Sequence, residues 1–253
     1  MTIKAITFDF WSTLYKTVAS NHAQRLRNLM SAIEQSSGAT FEPDRFRAAV
    51  IATRDTWRRI WIEELRTIDA GEWLDVLQAK LGVTVDPVDL PEIQARMEQA
   101  ILEDRPTLVP EAKTVLADLA GYHKLAIISD TGITPGRVLR RLLERDAIIY
   151  YFSQLTFSDE VGRSKPHPDA FLTTLAALAV EPSQAVHVGD LLRTDVAGAQ
   201  AVGMRAVQYT GVSQDDWIAV SDRTARAVVP DAVIKDHTEL KPLLRQWNGR
   251  KPD

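Results

Sequence analysis

From Pro110 onward, short apolar runs rich in β-branched residues alternate with helical segments, and this alternation restricts the fold more than any other feature of the chain. The runs are Leu125–Ser129, Tyr151–Phe157, Ala185–Val188 and Arg205–Tyr209, with a short one at Ala232–Asp236. Helical stretches precede and separate them, at Pro110–Tyr122, Pro135–Arg145, Pro168–Ala179 and Val196–Val202, and Thr238–Trp247 follows the last. Ile3–Phe8 is a further apolar run of the buried-strand kind. The pattern predicts an α/β fold, a mostly parallel sheet with helices on both faces.

Between Ile3–Phe8 and Leu125, about a hundred residues show helical rather than strand periodicity. One helix is expected over Ala19–Gln35, with Leu26, Leu29, Met30 and Ile33 on one face and Ser36-Ser37-Gly38 closing it. Pro43 opens a long second helix to Thr67, along which Phe46, Val50, Ile51, Trp57, Ile60, Trp61 and Leu65 recur at helical spacing. Two more are expected at Ala70–Leu81 and Leu90–Glu103. Four helices on short links predict a small bundle inserted into the α/β unit. The expected division is a core of residues 1–16 and 108–253 and a helical cap of 17–107.

The chain has 253 residues, 45% of them hydrophobic, enough for both parts to hold a packed core. Net charge is −4, with lysines and arginines scattered, so nucleic acid is not an expected partner. Absence of cysteine excludes disulfides and thiolate metal sites. No N-terminal segment reads as a signal peptide, and no apolar run approaches the roughly 20 residues that span a bilayer. A soluble, cytoplasmic protein with no membrane partner is expected. Oligomeric state is not legible.

Four segments carry chemistry. Asp9 follows the first strand, at the strand end where open α/β sheets bind ligands, although an Asp there also serves as a helix cap. Ser129-Asp130-Thr131-Gly132 ends another strand in a turn whose hydroxyl and N–H groups suit an anion, or in an ordinary strand-to-helix turn. Gly162-Arg163-Ser164-Lys165-Pro166-His167-Pro168 is a stiff loop around a lysine that, taken alone, reads as a surface residue. Gly189-Asp190, with Asp195 five residues later, places two carboxylates near a strand end, a set that suits a hard cation such as Mg²⁺.

In this order and spacing the segments resemble the haloacid dehalogenase (HAD) superfamily of aspartate-nucleophile hydrolases, over Lys4 to at least Val207, with Ser158-Asp159-Glu160-Val161-Gly162 included. The resemblance implies a Rossmann-like core with a helical cap inserted after the first strand. It makes Asp9 the nucleophile and Ser129, Lys165 and the N–H of Asp130 the groups that hold phosphoryl oxygens, with Thr131 beside the substrate. Thr13 would help hold the first turn through its hydroxyl. Asp9, Asp190 and the carbonyl of Trp11 would bind Mg²⁺ directly, and Asp195 through water. A small anionic molecule is the implied substrate.

Two residues depart from the family pattern. Trp11 stands where the phosphatases carry a second Asp that protonates the leaving alcohol, and indole has no acid or base of use at neutral pH. His167 and Asp130 are the nearest stand-ins. Dehalogenases of the family place an aromatic residue at this position, so Trp11 pulls toward carbon–halogen chemistry, while Asp190 and Asp195 pull toward the Mg²⁺-dependent phosphatases. Carboxylates massed without a cation are costly, so the phosphatase reading leads. The alternatives are a 2-haloacid dehalogenase and a phospholigand- or partner-binding protein with little turnover. Ser12 replaces a glycine that the family prefers for unusual backbone angles. On the long cap helix, Arg54, Trp57, Arg58 and Trp61 either face the site or form cap core and solvated face. His22, His123, His187 and His237 show no metal spacing and read as structural or exposed.

Overall fold

The computed structural model describes residues 2–16, 22–212 and 227–249. Its centre is a six-stranded parallel sheet. Strand β1 (Ala5–Phe8) is followed by the short β2 (Tyr15–Lys16), helices α1 (His22–Ser37), α2 (Pro43–Arg59), α3 (Ala70–Leu81) and α4 (Leu90–Asp104), and the short β3 (Thr107–Leu108). Then come α5 (Ala112–Ala120), β4 (Lys124–Ser129), α6 (Gly136–Arg145), β5 (Phe152–Phe157), α7 (Ser158–Val161), α8 (Pro168–Leu178), β6 (Ala185–Gly189), α9 (Ala197–Ala201), β7 (Arg205–Tyr209) and β8 (Ala232–Ile234), with a last helix at Leu240–Trp247. The strand order is β5-β4-β1-β6-β7-β8, and every neighbour pair in it is parallel.

Period-two alternation divides the strand residues between two apolar layers. Ile6, Phe8, Leu125 and Ile127 join one core with Leu116 and Leu119 of α5, Leu139 and Leu142 of α6 and Leu244 of the last helix. Ala5, Ala126 and Ile128 face the other way, onto Phe171 and Leu175 of α8 and Ala199 of α9. This is the α/β core that the alternation predicts. The four helices inserted after β1 hold a separate core built on Ile33, Phe46, Trp73, Leu74 and Leu77. The two crossings between these parts, β2 and β3, pair antiparallel, Tyr15 opposite Leu108. Tyr15 also donates to Asp146 Oδ2 at 2.8 Å, which ties the crossing to the end of α6.

The second cap helix differs from its expected extent. It is α-helical only to Arg59, runs through a wider π-type turn at Ile60–Glu64, and stops at Leu65, whose φ is 51°. The reason is tertiary. Leu65 O accepts from Ser164 N at 2.7 Å, and the Thr67 hydroxyl lies 2.6 Å from that of Ser158 and 3.0 Å from that of Ser164. These bonds to the core replace the next helical turn. A second π-type turn, Leu192–Val196, leads into the expected Val196–Val202 helix, which is α-helical over Ala197–Ala201. The expected helix at Ala19 falls partly outside the described residues, since α1 is described from His22.

Candidate active site

β4, β1 and β6 are adjacent, so the residues that follow their carboxyl ends meet. Asp9 follows β1 and donates its N–H to Val188 O at 2.8 Å, which continues the ladder toward β6. Ser129 ends β4, and Asp190 follows Gly189 at the end of β6. Lys165 enters from the loop after α7. Its ammonium donates to Asp9 Oδ1 at 2.6 Å, Asp195 Oδ1 at 2.6 Å and Ile128 O at 2.9 Å, a full complement of three bonds. Asp9, Asp190 and Asp195 each offer an oxygen within 4.8 Å of the others. All are buried: Asp9 is 7% exposed, Asp190 5%, Asp195 1% and Lys165 2%.

Glycine at 189 is a packing requirement. A Cβ there would lie 2.3 Å from Cγ of Asp195, so the residue before Asp190 has no side chain because a carboxylate occupies the space. Asp195 also accepts at Oδ2 from Leu191 N at 2.9 Å and at Oδ1 from His187 Nε2, 3.1 Å away.

Residues 3–203 match the model of the haloacid dehalogenase-like hydrolases. The chain belongs to this family. Among curated relatives, it is similar to a ribulose-1,5-bisphosphate 5-phosphatase of Halopiger xanaduensis, 30% identical over 95% of this chain and 98% of the relative. A glyceraldehyde 3-phosphate phosphatase of Methanopyrus kandleri is 26% identical over 96% and 98%. Among solved structures, a 2-haloacid dehalogenase from Pseudomonas syringae pv. Tomato superposes with a TM-score of 0.67 at 24% identity, covering 97% of this chain and all of that one. A HAD phosphatase from Thermococcus onnurineus superposes with a TM-score of 0.65 at 24% identity, over 96% and 98%. At that identity the two structures speak to fold alone.

In this hydrolase, charge at the site is unbalanced. Burial pushes the Asp9 carboxyl up to about 7, with Asp195 adding to the rise and Lys165 opposing it. Asp190 is pushed well above the carboxylate range by burial and by the charges of Asp195 and Asp9. Burial acts the same way on Asp195, but Lys165 and His187 outweigh it and hold that carboxyl below its ordinary value. Three hard oxygen donors with one ammonium among them form a donor set that fits a divalent cation such as Mg²⁺. Asp195 already accepts from four protein donor groups, whereas Asp9 meets Lys165 through one of its oxygens.

The expected site residues fall into two groups. Asp9, Lys165, Asp190 and Asp195 converge, with Ser129 buried at the neighbouring strand end. Thr131 joins a corner network: its N–H donates to Ser158 Oγ at 2.8 Å and its hydroxyl to Asp159 Oδ1 at 3.0 Å. Thr13 holds its turn differently from expectation. Its hydroxyl is buried with no hydrogen-bond partner among the described residues, and its carbonyl, 2.8 Å from His237 Nε2, makes the anchor. Ser12 has a φ of 57°, so the turn does take the angles that favour glycine. Trp11 is half-buried, its ring edge-on to Phe10 at 4.8 Å.

Two further residues contribute: His187, expected to be structural or exposed, and Trp61, for which the sequence allowed either the site or the cap core. His187 lies within β6, buried between the Thr7 hydroxyl, 2.8 Å from Nδ1, and Asp195 at Nε2. The carboxylate requires a donor at Nε2, so Nδ1 accepts from Thr7 and the neutral tautomer is set. Its inward place in a buried strand next to Gly189 was the available signal. Trp61 leaves the cap core for the site: its indole N–H donates to Asp130 Oδ2 at 2.8 Å, and the Arg193 guanidinium lies 4.2 Å from its ring centre. Trp57 stacks parallel to it at 6.0 Å.

Proposed function

We propose that this hydrolase is a Mg²⁺-dependent phosphatase acting through an aspartyl-phosphate on a small phosphate ester or anhydride. The observation that carries the reading is the buried surplus of carboxylate, Asp9, Asp190 and Asp195 around Lys165. Such a surplus suits a divalent cation and a dianionic phosphoryl group together, and a monoanionic substrate by itself would leave it unbalanced. Names of the relatives, phosphatases of small phosphorylated molecules, agree with the substrate class.

In this reading Asp9 attacks phosphorus, its carboxylate oriented by Lys165, and water later cleaves the acyl phosphate. Asp9, Asp190 and the carbonyl of Trp11 would hold Mg²⁺, with Asp195 acting through water. The ion would supply charge neutralisation at the phosphoryl oxygens. Lys165, the Ser129 hydroxyl and the N–H of Asp130 donate to the same oxygens, where preorganised donors in a dry site are most effective. His187 holds Asp195 and so keeps it turned toward Lys165.

A second reading, halide displacement from a 2-haloacid by Asp9, is favoured by one residue, the aromatic Trp11 two positions after the nucleophile. Hydrolysis of an activated aryl phosphate with Mg²⁺ and with chelator, beside Asp9→Asn and a halide-release assay, separates the two. Phosphate release that needs Mg²⁺ and Asp9 is the expected result. Chelator-insensitive halide release would replace the phosphatase reading, and silence in both assays would leave binding without turnover.

A further inference from the structure

We propose that Asp130 is the general acid and base that position 11 does not supply, and that the Trp61 indole positions it. The inference rests on the phosphatase reading. An in-line displacement puts the leaving oxygen on the side of phosphorus away from Asp9. Asp9 lies at the carboxyl edge of the sheet, so the leaving group faces the cap. An acid must therefore stand between the phosphoryl-holding groups and the cap.

Asp130 occupies that place. Its Oδ1 accepts from the backbone N of Lys165 at 2.8 Å, and its Oδ2 accepts from Trp61 Nε1 of the cap at 2.8 Å. Each oxygen keeps a second lone pair for a proton. Arg193 and Trp57 pack on the Trp61 ring and fix the indole that aims the carboxyl. Burial also raises its proton affinity, against the opposing pull of Lys165 and Trp61. The other stand-in, His167, is spent elsewhere: its Nδ1 accepts from Asp169 N at 3.2 Å and caps α8.

The steps balance. Asp9 forms the bond to phosphorus as the ester P–O bond breaks, and the protonated Asp130 gives its proton to the departing alkoxide, releasing the alcohol. The Asp130 carboxylate then takes a proton from water as that water attacks the acyl phosphate. Phosphate leaves, Asp9 is regenerated as carboxylate, and Asp130 again carries the proton.

The test compares Asp130→Asn with the parent on two Mg²⁺-supported substrates, 4-nitrophenyl phosphate and an alkyl phosphate such as glycerol 3-phosphate. Asn keeps the backbone N–H, the size of the side chain and one of the two acceptances, and its amide cannot exchange a proton at neutral pH. General acid–base help is worth about 10²–10⁴-fold, so kcat on the alkyl ester should fall by at least about 10²-fold, and on the aryl ester by far less. Trp61→Phe, which keeps the ring and removes the N–H, should lower kcat on the alkyl ester with KM little changed. Equal loss on both esters, or no loss on the alkyl ester, overturns the role of Asp130 and leaves the phosphatase reading intact. So does a parent enzyme active on the aryl ester and inert on alkyl esters. Failure of the parent on both esters overturns the phosphatase reading, and this inference with it.

Discussion

Lys165 donates from its buried ammonium to Asp9 at 2.6 Å, and the same ammonium holds Asp195 at the same distance. One lysine therefore fixes the proposed nucleophile and the innermost carboxylate together. Replacing Lys165 by Met leaves both acids buried without their cation, and breaking a buried pair costs about 3–5 kcal/mol. Urea denaturation should show a loss of that size, and hydrolysis should vanish.

The raised Asp9 carboxyl makes metal-free stability depend on pH. Its value moves from 3.8 in the unfolded chain to about 7 in the fold, so between those values the folded protein holds a proton that the unfolded one has lost. Stability from this group is present at low pH and is lost as pH rises from about 4 through about 7. Asp190 is shifted in the same sense. Burial holds His187 and His237 below their ordinary values and acts in the opposite sense over this range, so the Asp9 contribution is read as a difference: from pH 5 to pH 8 in chelator, the melting temperature of the parent should fall relative to that of Asp9→Asn. Added Mg²⁺ competes with those protons, so it should raise the melting temperature more at pH 8 than at pH 5. A shift equal at both pH values would count against a carboxylate metal site.

Gly189→Ala should be damaging although it adds one methyl group. The new Cβ would sit 2.3 Å from Cγ of Asp195, itself held by Lys165, His187 and Leu191. Overpacking of this kind costs about 1–3 kcal/mol. Denaturation should report the loss, and the Mg²⁺-induced rise in melting temperature should shrink with it.

Ser12→Gly should stabilise. Ser12 has a φ of 57°, and left-handed backbone costs a side-chain-bearing residue about 1–2 kcal/mol, partly offset by the greater unfolded freedom of glycine. A net gain of about 0.5–1 kcal/mol is expected in urea denaturation.

In an Asp130→Asn background, Trp11→Asp should raise kcat on alkyl phosphates by about 10-fold or more, because it places a carboxyl two residues after the nucleophile where no other acid then serves. It also removes the edge contact with Phe10, at a cost of about 0.5–1.5 kcal/mol. Paired kinetics and melting curves would read both effects, and an unchanged rate would mean that the Trp11 position no longer faces the leaving group.

The core was legible because each of its strands is a local event. Runs such as Leu125–Ser129 and Ala185–Val188 are buried on both faces, and residues of that kind declare a strand without reference to their neighbours. The third cap helix matched its expected span, Ala70–Leu81, since its start at the Asp69 cap and its stop at Gly82 are written in adjacent residues. The second cap helix did not, because Leu65 and Thr67 bond to Ser158 and Ser164, about ninety to one hundred positions away.

By itself, the sequence determined which side chains stand at strand ends: Asp9, Ser129, Asp130 and Asp190 follow from strand periodicity and turn chemistry, which act over a few residues. Only the tertiary structure decided what each one touches. Parallel order β4-β1-β6 brings those ends together, Lys165 closes on two carboxylates at 156 and 30 residues' separation, and Trp61 reaches Asp130 across 69. Thr131 and Asp130 adjoin in sequence, yet the first turns to Ser158 and Asp159 and the second to the cap. That choice depends on hydrogen-bond partners from distant segments, and local periodicity carries no record of them.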